Sequence, residues 1–216
     1  MNGLTVAKNI VLSFVILIVM FLCFGIYANY SGNALNKSTA DLMDWTRALN
    51  MSSRLSDATN ETRIFALLKA MAQDPQTREQ LEQQHEASKK KVEDVFDEYR
   101  KTLAETTYYN EEERRSDQEL FDKEYNAWLE YLKAGEEGDR LFAEGKYAEG
   151  LAFIDQKWSK SYQKLETLIL SDEERAMKGA DAVDKEADDV YARVVMTTVI
   201  VTILVAHHRG CLRLLS

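Results

Sequence analysis

The sequence predicts an all-α protein, an antiparallel up-down four-helix bundle flanked by two transmembrane helices. Apolar residues recur at steps of three and four along the middle of the chain, and an uncharged apolar run lies near each end. A single Pro and only 9 Gly in 216 residues leave few places where a helix would stop. This pattern favours a few long helices joined by short turns.

The first apolar run, residues 10–28, is long enough to cross a bilayer as a helix, which takes about 20 residues. Tyr27 and Tyr30 at its end are typical of the membrane interface. A cleaved signal peptide is the alternative, but its apolar region is shorter, about 7 to 15 residues, and ends in a small-x-small site. Ile26 lies where a small residue should be, so the uncleaved helix is the preferred prediction.

The second run, residues 190–206, is less apolar and reaches bilayer length only if the side chain of Arg193 extends to the interface. Basic residues flank both runs on the side of the chain ends, which by the positive-inside rule places residues 1–9 and 207–216 in the cytoplasm. The segment 31–189 is then expected outside the cytoplasm.

Three breaks divide the segment 31–189 into four predicted helices. Asp74 precedes Pro75 as a helix N-cap, Asn110 with Glu113 resembles a capping box, and Gly145 supplies the residue at which a helix ends. The predicted helices are 31–73, 75–107, 111–144 and 147–189. Short connections make neighbouring helices antiparallel.

Each predicted helix carries an apolar stripe that should form the bundle core. The stripes comprise Ala48, Met51, Leu55, Ala58, Thr62 and Phe65 in the first helix; Leu81, Val92, Val95 and Tyr99 in the second; Phe121, Tyr125, Trp128 and Leu132 in the third; and Leu151, Ile154, Trp158, Tyr162, Leu165, Ile169, Ala176, Ala180, Val183, Ala187 and Val190 in the fourth.

Charge and motif content exclude several functions. All 36 acidic residues lie between Asp41 and Asp189, which argues against nucleic acid or anionic lipid as the partner. No nucleophile triad, phosphate loop or catalytic acid pair can be assigned, so no catalytic residue, cofactor or metal site is expected and the chain is not predicted to be an enzyme. His85 lies on the second stripe and is expected to be a buried or edge histidine rather than a ligand.

The turn between the last two predicted helices reads LFAEGKYAEG, from Leu141 to Gly150, and Arg63 lies far along the first helix. With two flanking spans, this arrangement resembles the four-helix-bundle sensor domain of methyl-accepting chemotaxis proteins. The resemblance implies a two-pass protein of the bacterial inner (cytoplasmic) membrane that forms a homodimer and binds a small molecule, of the amino acid or organic acid class. It also implies that a shift of the last helix carries the signal in chemotaxis.

After Ala206 the chain departs from that family, because no HAMP linker or signalling module follows. A truncated receptor is therefore expected. The sensor of a histidine kinase or of a cyclic-dinucleotide enzyme stays open, as does an interaction module without a ligand, which would form mixed dimers or bind a periplasmic binding protein.

A polar stripe on the first helix, beside the apolar one, is the expected ligand site. Arg63 would supply its charge, because a guanidinium binds a carboxylate in a bidentate fork that lysine cannot copy. At about 1.5 Å per residue Arg63 lies about 50 Å beyond the span, the height of the family's sites. The alternative is that Arg63 pairs with a glutamate across the bundle. The predicted ligand-binding residues are Ser52, Ser56, Thr59 and Arg63, faced by Gln156, Ser159 and Gln163.

Overall fold

The computed structural model describes residues 3–106 and 111–214, and within these ranges it contains helices and no strand. The all-α, four-helix-bundle prediction is confirmed. The elements are α1 (Gly3–Met71), α2 (Pro75–Glu105), α3 (Glu111–Ala143), α4 (Tyr147–Phe153), a π-helical segment (Ile154–Trp158) and α5 (Ser159–Leu214).

The chain divides into two compact units. The bundle unit is Asp44–Lys178, and the terminal unit combines Met1–Met43 with Gly179–Ser216. Both α1 and α5 continue without a break past these boundaries. The division therefore falls within continuous helices, inside the segment 31–189.

The turn from α1 to α2 forms as the sequence predicts. Asp74 has extended backbone angles, φ −81° and ψ 126°, and its carboxylate accepts a hydrogen bond from the Thr77 backbone N–H at 2.8 Å. Pro75 occupies the first helical position, where a missing N–H costs nothing. α1 ends at Met71, two residues before the predicted limit.

Gly145 ends α3 as predicted, through a Schellman motif. Its φ of +74° is a left-handed conformation that residues with a Cβ rarely adopt. The Lys146 N–H donates to the Leu141 carbonyl at 2.9 Å, and the Gly145 N–H donates to the Phe142 carbonyl at 3.1 Å. The capping box predicted at Asn110 lies outside the described residues.

The fourth predicted helix differs from expectation because a π-helical segment interrupts it. The Ser159 N–H donates to the Ile154 carbonyl, five residues back, which widens the turn. Each residue then advances by a smaller angle, so the stripe predicted from a regular helix loses its register before Trp158. Leu151, predicted in the core, is 56% exposed for this reason.

The core of the bundle unit otherwise follows the predicted stripes. Phe96 packs edge-on against Phe121 and Tyr125, with ring centroids 5.9 and 5.1 Å apart. Such pairs contribute beyond the area they bury. Other buried members are Met51, Leu55, Val92, Trp128, Tyr162, Leu165 and Ile169.

Two of the described helices are long and apolar enough to cross a membrane. In the terminal unit the apolar side chains of residues 11–26 and 195–204 are largely exposed. An apolar surface of that extent is typical of a segment that another apolar phase covers.

Candidate functional site: Arg63 and the buried polar clusters

Arg63 packs against an aromatic ring of α5. Its guanidinium carbon lies 4.3 Å from the centroid of the Tyr162 ring, a cation–π contact. Arg63 is half-buried, and among the described residues it forms no ion pair. The structure thus places Arg63 on an aromatic face and not in the glutamate pair that was the alternative.

The residues of the polar stripe of α1 lie in two different environments. Thr59 is buried, and its hydroxyl donates to the Ser56 carbonyl at 3.0 Å. The side chains of Thr59 and Arg63 both form hydrogen bonds with the Tyr162 hydroxyl. Ser52 is also buried, but its hydroxyl donates to Asp172 Oδ2 at 2.7 Å. The structure therefore brings Thr59, Ser56 and Arg63 together and joins Ser52 to a different cluster.

The residues expected to face Arg63 from the fourth helix lie elsewhere on its surface. Gln156 and Gln163 are exposed and Ser159 is half-buried. Within the described residues, no hydrogen bond joins any of them to Arg63. Tyr162 is the contact instead, and sequence reasoning had assigned it only to the core.

Behind Tyr162 lie two buried polar atoms without a hydrogen-bond partner among the described residues, Tyr131 Oη and Trp158 Nε1. The Tyr131 ring is 5.8 Å from that of Tyr162 and 6.1 Å from that of Trp158. Burial raises the pKa of both tyrosines, and the charge of Arg63 opposes that rise. Both hydroxyls are therefore neutral at physiological pH.

A charge cluster surrounds Lys69 near the end of α1. The ammonium donates to Asp139 Oδ2 at 2.6 Å and to Glu82 Oε2 at 2.9 Å, and it lies 3.3 Å from His85 Nδ1. Burial and the nearby Lys69 charge lower the pKa of His85 to about 4. The neutral ring accepts at Nδ1, because an ammonium can only donate. His85 is buried, as the sequence predicts.

Glu82, His85 and Glu86 carry ligand atoms within 4.8 Å of one another, an arrangement that the sequence analysis did not anticipate. The Lys69 ammonium already contacts two of these three groups, Glu82 and His85. A metal ion would have to displace that ammonium, so the cluster is explained by its own ion pairs.

A second cluster lies inside the bundle around two carboxyl groups, Glu124 of α3 and Asp172 of α5, which are 0% and 1% exposed. Asp172 Oδ2 accepts from Ser52 Oγ at 2.7 Å and from Tyr99 Oη at 3.2 Å. Arg175 contacts Asp172 Oδ1 at 3.4 Å. We name Glu124, Asp172, Ser52, Tyr99 and Arg175 the inner carboxyl cluster.

Sequence reasoning missed Lys69, Glu124 and Asp172, although a signal was present. Glu124 lies three residues after Phe121 and four before Trp128, and Asp172 lies three after Ile169 and four before Ala176. Each therefore occupies a core position of its helix. A charged residue in core register indicates a buried polar site.

A comparison with curated proteins found no match. The family described as a four helix bundle sensory module for signal transduction matches residues 3–191, most of the chain. The matched region contains the whole bundle unit with Arg63 and the inner carboxyl cluster. The chain therefore belongs to the family of four-helix-bundle sensory modules of methyl-accepting chemotaxis proteins.

Proposed function

We propose that the protein is a membrane-anchored sensor whose bundle binds a small carboxylate, of the amino acid or organic acid class, at Arg63. The observation that carries this proposal is the state of Arg63: a half-buried cation that has no ion-pair partner among the described residues and is positioned by a ring. A guanidinium in this state retains donors for a ligand.

The contact with Tyr162 suggests how binding would be transmitted. The guanidinium carbon lies 4.3 Å from the centre of the ring, and a guanidinium carries five N–H donors, so donors beyond those used with Tyr162 remain for a carboxylate. Arg63 belongs to α1 and Tyr162 to α5, so a ligand that moves the guanidinium changes the contact between these two helices. A ligand with different affinities for two arrangements of α5 would shift the population between them, which is the proposed signal.

An exposed apolar line on α1 supports a second copy of the chain as partner. Ile64, Leu68 and Met71 follow steps of four and three and are all exposed. The alternative, an interaction module without a ligand, would use the same line.

Substitution of Arg63 tests the ligand site. The full chain in lipid nanodiscs is screened with a panel of amino acids and organic acids by thermal shift. We expect at least one carboxylate to raise the melting temperature of the wild type. Arg63→Ala should weaken its binding about tenfold to a hundredfold, because charge-assisted hydrogen bonds are lost.

Arg54→Ala is the matched control, since Arg54 lies on the same helix and pairs with Glu98 at 2.7 Å on the surface. This variant should bind like the wild type. Equal affinity in Arg63→Ala, or no shift with any carboxylate in the panel, would contradict the proposal. Mass measurement on the same samples reports the proposed dimer.

A further inference from the structure

Glu124 is a buried carboxyl group whose charged form is poorly stabilised by the described residues around it. It lies on α3 between Phe121 and Trp128 and is fully buried. Within the described residues, neither of its oxygens has a hydrogen-bond partner. A buried carboxylate without partners is far less stable than the neutral acid.

The groups that surround Glu124 explain why it is left without a donor. Asp172 and Arg175 of α5 and Tyr99 of α2 act on it, while Ser52 of α1 and Asp117 of α3 join the same network through Asp172 and Arg175. The Ser52 and Tyr99 hydroxyls both donate to Asp172. Arg175 pairs with Asp117 at 2.7 Å and also contacts Asp172. The donors are thus committed to the other two carboxylates.

We propose that Glu124 is a proton-binding site, occupied at acidic and neutral pH and emptied on the alkaline side, whose occupancy sets the packing of α3 against α5. The ligand of this site is the proton itself, and the site is independent of Arg63.

The electrostatics agree with this geometry. Burial first, and then the charge of Asp172, raise the pKa of Glu124 to about 8, while Arg175 opposes the rise. Asp172 accepts from donors of three residues, whereas the oxygens of Glu124 accept from none among the described residues.

Loss of the proton has a structural consequence. A second negative charge beside Asp172 would repel it within the core, where screening by water is weak. The repulsion is relieved if Arg175 leaves Asp117 for Glu124, or if α3 and α5 move apart. Arg175 also lines a surface groove of about 450 Å³ with residues of α3 and α5, so one member of the cluster borders solvent.

Infrared spectroscopy of the full chain in nanodiscs tests the site directly. A protonated buried carboxyl has a C=O stretching band separate from that of carboxylates. We expect this band at pH 7 in the wild type, its loss as pH rises through about 8, and its absence in Glu124→Gln at all pH values above about 6. Glu119→Gln, an exposed glutamate of the same helix, should retain the band and its titration.

Absence of the band in the wild type at pH 7, or its persistence in Glu124→Gln, would overturn the assignment. Loss of the band in Asp172→Asn with retention in Glu124→Gln would move the proton to Asp172 and also overturn it.

A distance measurement tests the coupling to packing. Ser116 and Ser171 are exposed residues of α3 and α5 that line the groove, and both accept a cysteine-linked spin label in a chain with Cys23 and Cys211 changed to Ser. We expect the label distance to change between about pH 6 and pH 9 in the wild type and to stay constant in Glu124→Gln. A pH-independent distance in the wild type would contradict the coupling.

Discussion

At the scale of single residues, the bundle contains two kinds of buried charge. Lys69 meets two carboxylates and a histidine nitrogen, so its desolvation is offset by direct partners. Glu124 has no hydrogen-bond donor among the described residues, and burial raises its pKa to about 8, in keeping with the proposed neutral form at pH 7. The first arrangement stabilises one fixed geometry, whereas the second makes the core sensitive to proton concentration.

Lys69→Met should lower the free energy of unfolding by about 2 kcal/mol, less than for a fully buried pair because Glu82 and Asp139 are 47% and 34% exposed. The melting temperature of the full chain measures this effect. Lys91→Met, which breaks an exposed pair with Glu61, is the control and should cost at most about 0.5 kcal/mol. An equal loss of unfolding free energy in the two variants would show that the buried Lys69 pairs stabilise the bundle no more than an exposed pair does.

The pH dependence of that loss follows from the two pKa shifts. Burial opposes ionisation of both groups, but the hydrogen bonds and charges of Asp139 and Glu82 raise the pKa of Lys69, and those of Lys69 lower the pKa of Glu82. The stabilisation is thus present between the ordinary values of 4.5 and 10.5. It is lost as pH falls through the lowered pKa of Glu82, or rises through the raised pKa of Lys69.

The apolar core residues could be predicted from the sequence because they repeat at helical spacing, as Leu55, Val92 and Ile169 do. The partners of polar side chains could not. Ser52 lies 120 residues from Asp172 along the chain, and no periodicity within one helix indicates which neighbour a hydroxyl will meet.

At the scale of elements, the same substitution should have opposite effects at two glycines. Gly145→Ala places a Cβ at φ +74° and should destabilise the bundle by about 1 kcal/mol. Gly32→Ala lies within α1 with open space around the new Cβ and should stabilise its helix by up to about 1 kcal/mol. Thermal unfolding of the two variants measures both effects. A stabilising Gly145→Ala would mean that the α3 terminus does not require a left-handed residue.

The π-helical segment shows why one element departed from its predicted register. Gly135 and Gly138 of α3 leave space for the indole of Trp158, and a Cβ at either position would lie 3.2 Å from that ring. The wide turn before Trp158 accompanies this close packing. Since the two glycines belong to α3, the pattern of the fourth predicted helix alone did not indicate this packing.

At the scale of the whole molecule, the terminal unit has a surface suited to lipid and the bundle unit has a surface suited to water. The described apolar residues of the terminal unit expose side chains that a bilayer would cover, whereas the described residues of the bundle unit expose most of their charged side chains and bury most of their aromatic rings. This contrast agrees with two helices that cross a bilayer, and the basic residues at the chain ends predict that the α1–α2 and α3–α4 turns lie outside the cytoplasm.

Cysteine labelling in intact cells tests that topology. Single cysteines at Gln76 and Lys146, in a chain with Cys23 and Cys211 changed to Ser, should react with a membrane-impermeant maleimide, because both turns would face the extracytoplasmic side. The native Cys23 is the control: its side chain is exposed on α1, but a bilayer around this apolar run would keep a polar reagent away from it, so it should not react. Labelling of Gln76→Cys only after cell lysis would place the bundle in the cytoplasm, and the sensor would then face the cell interior.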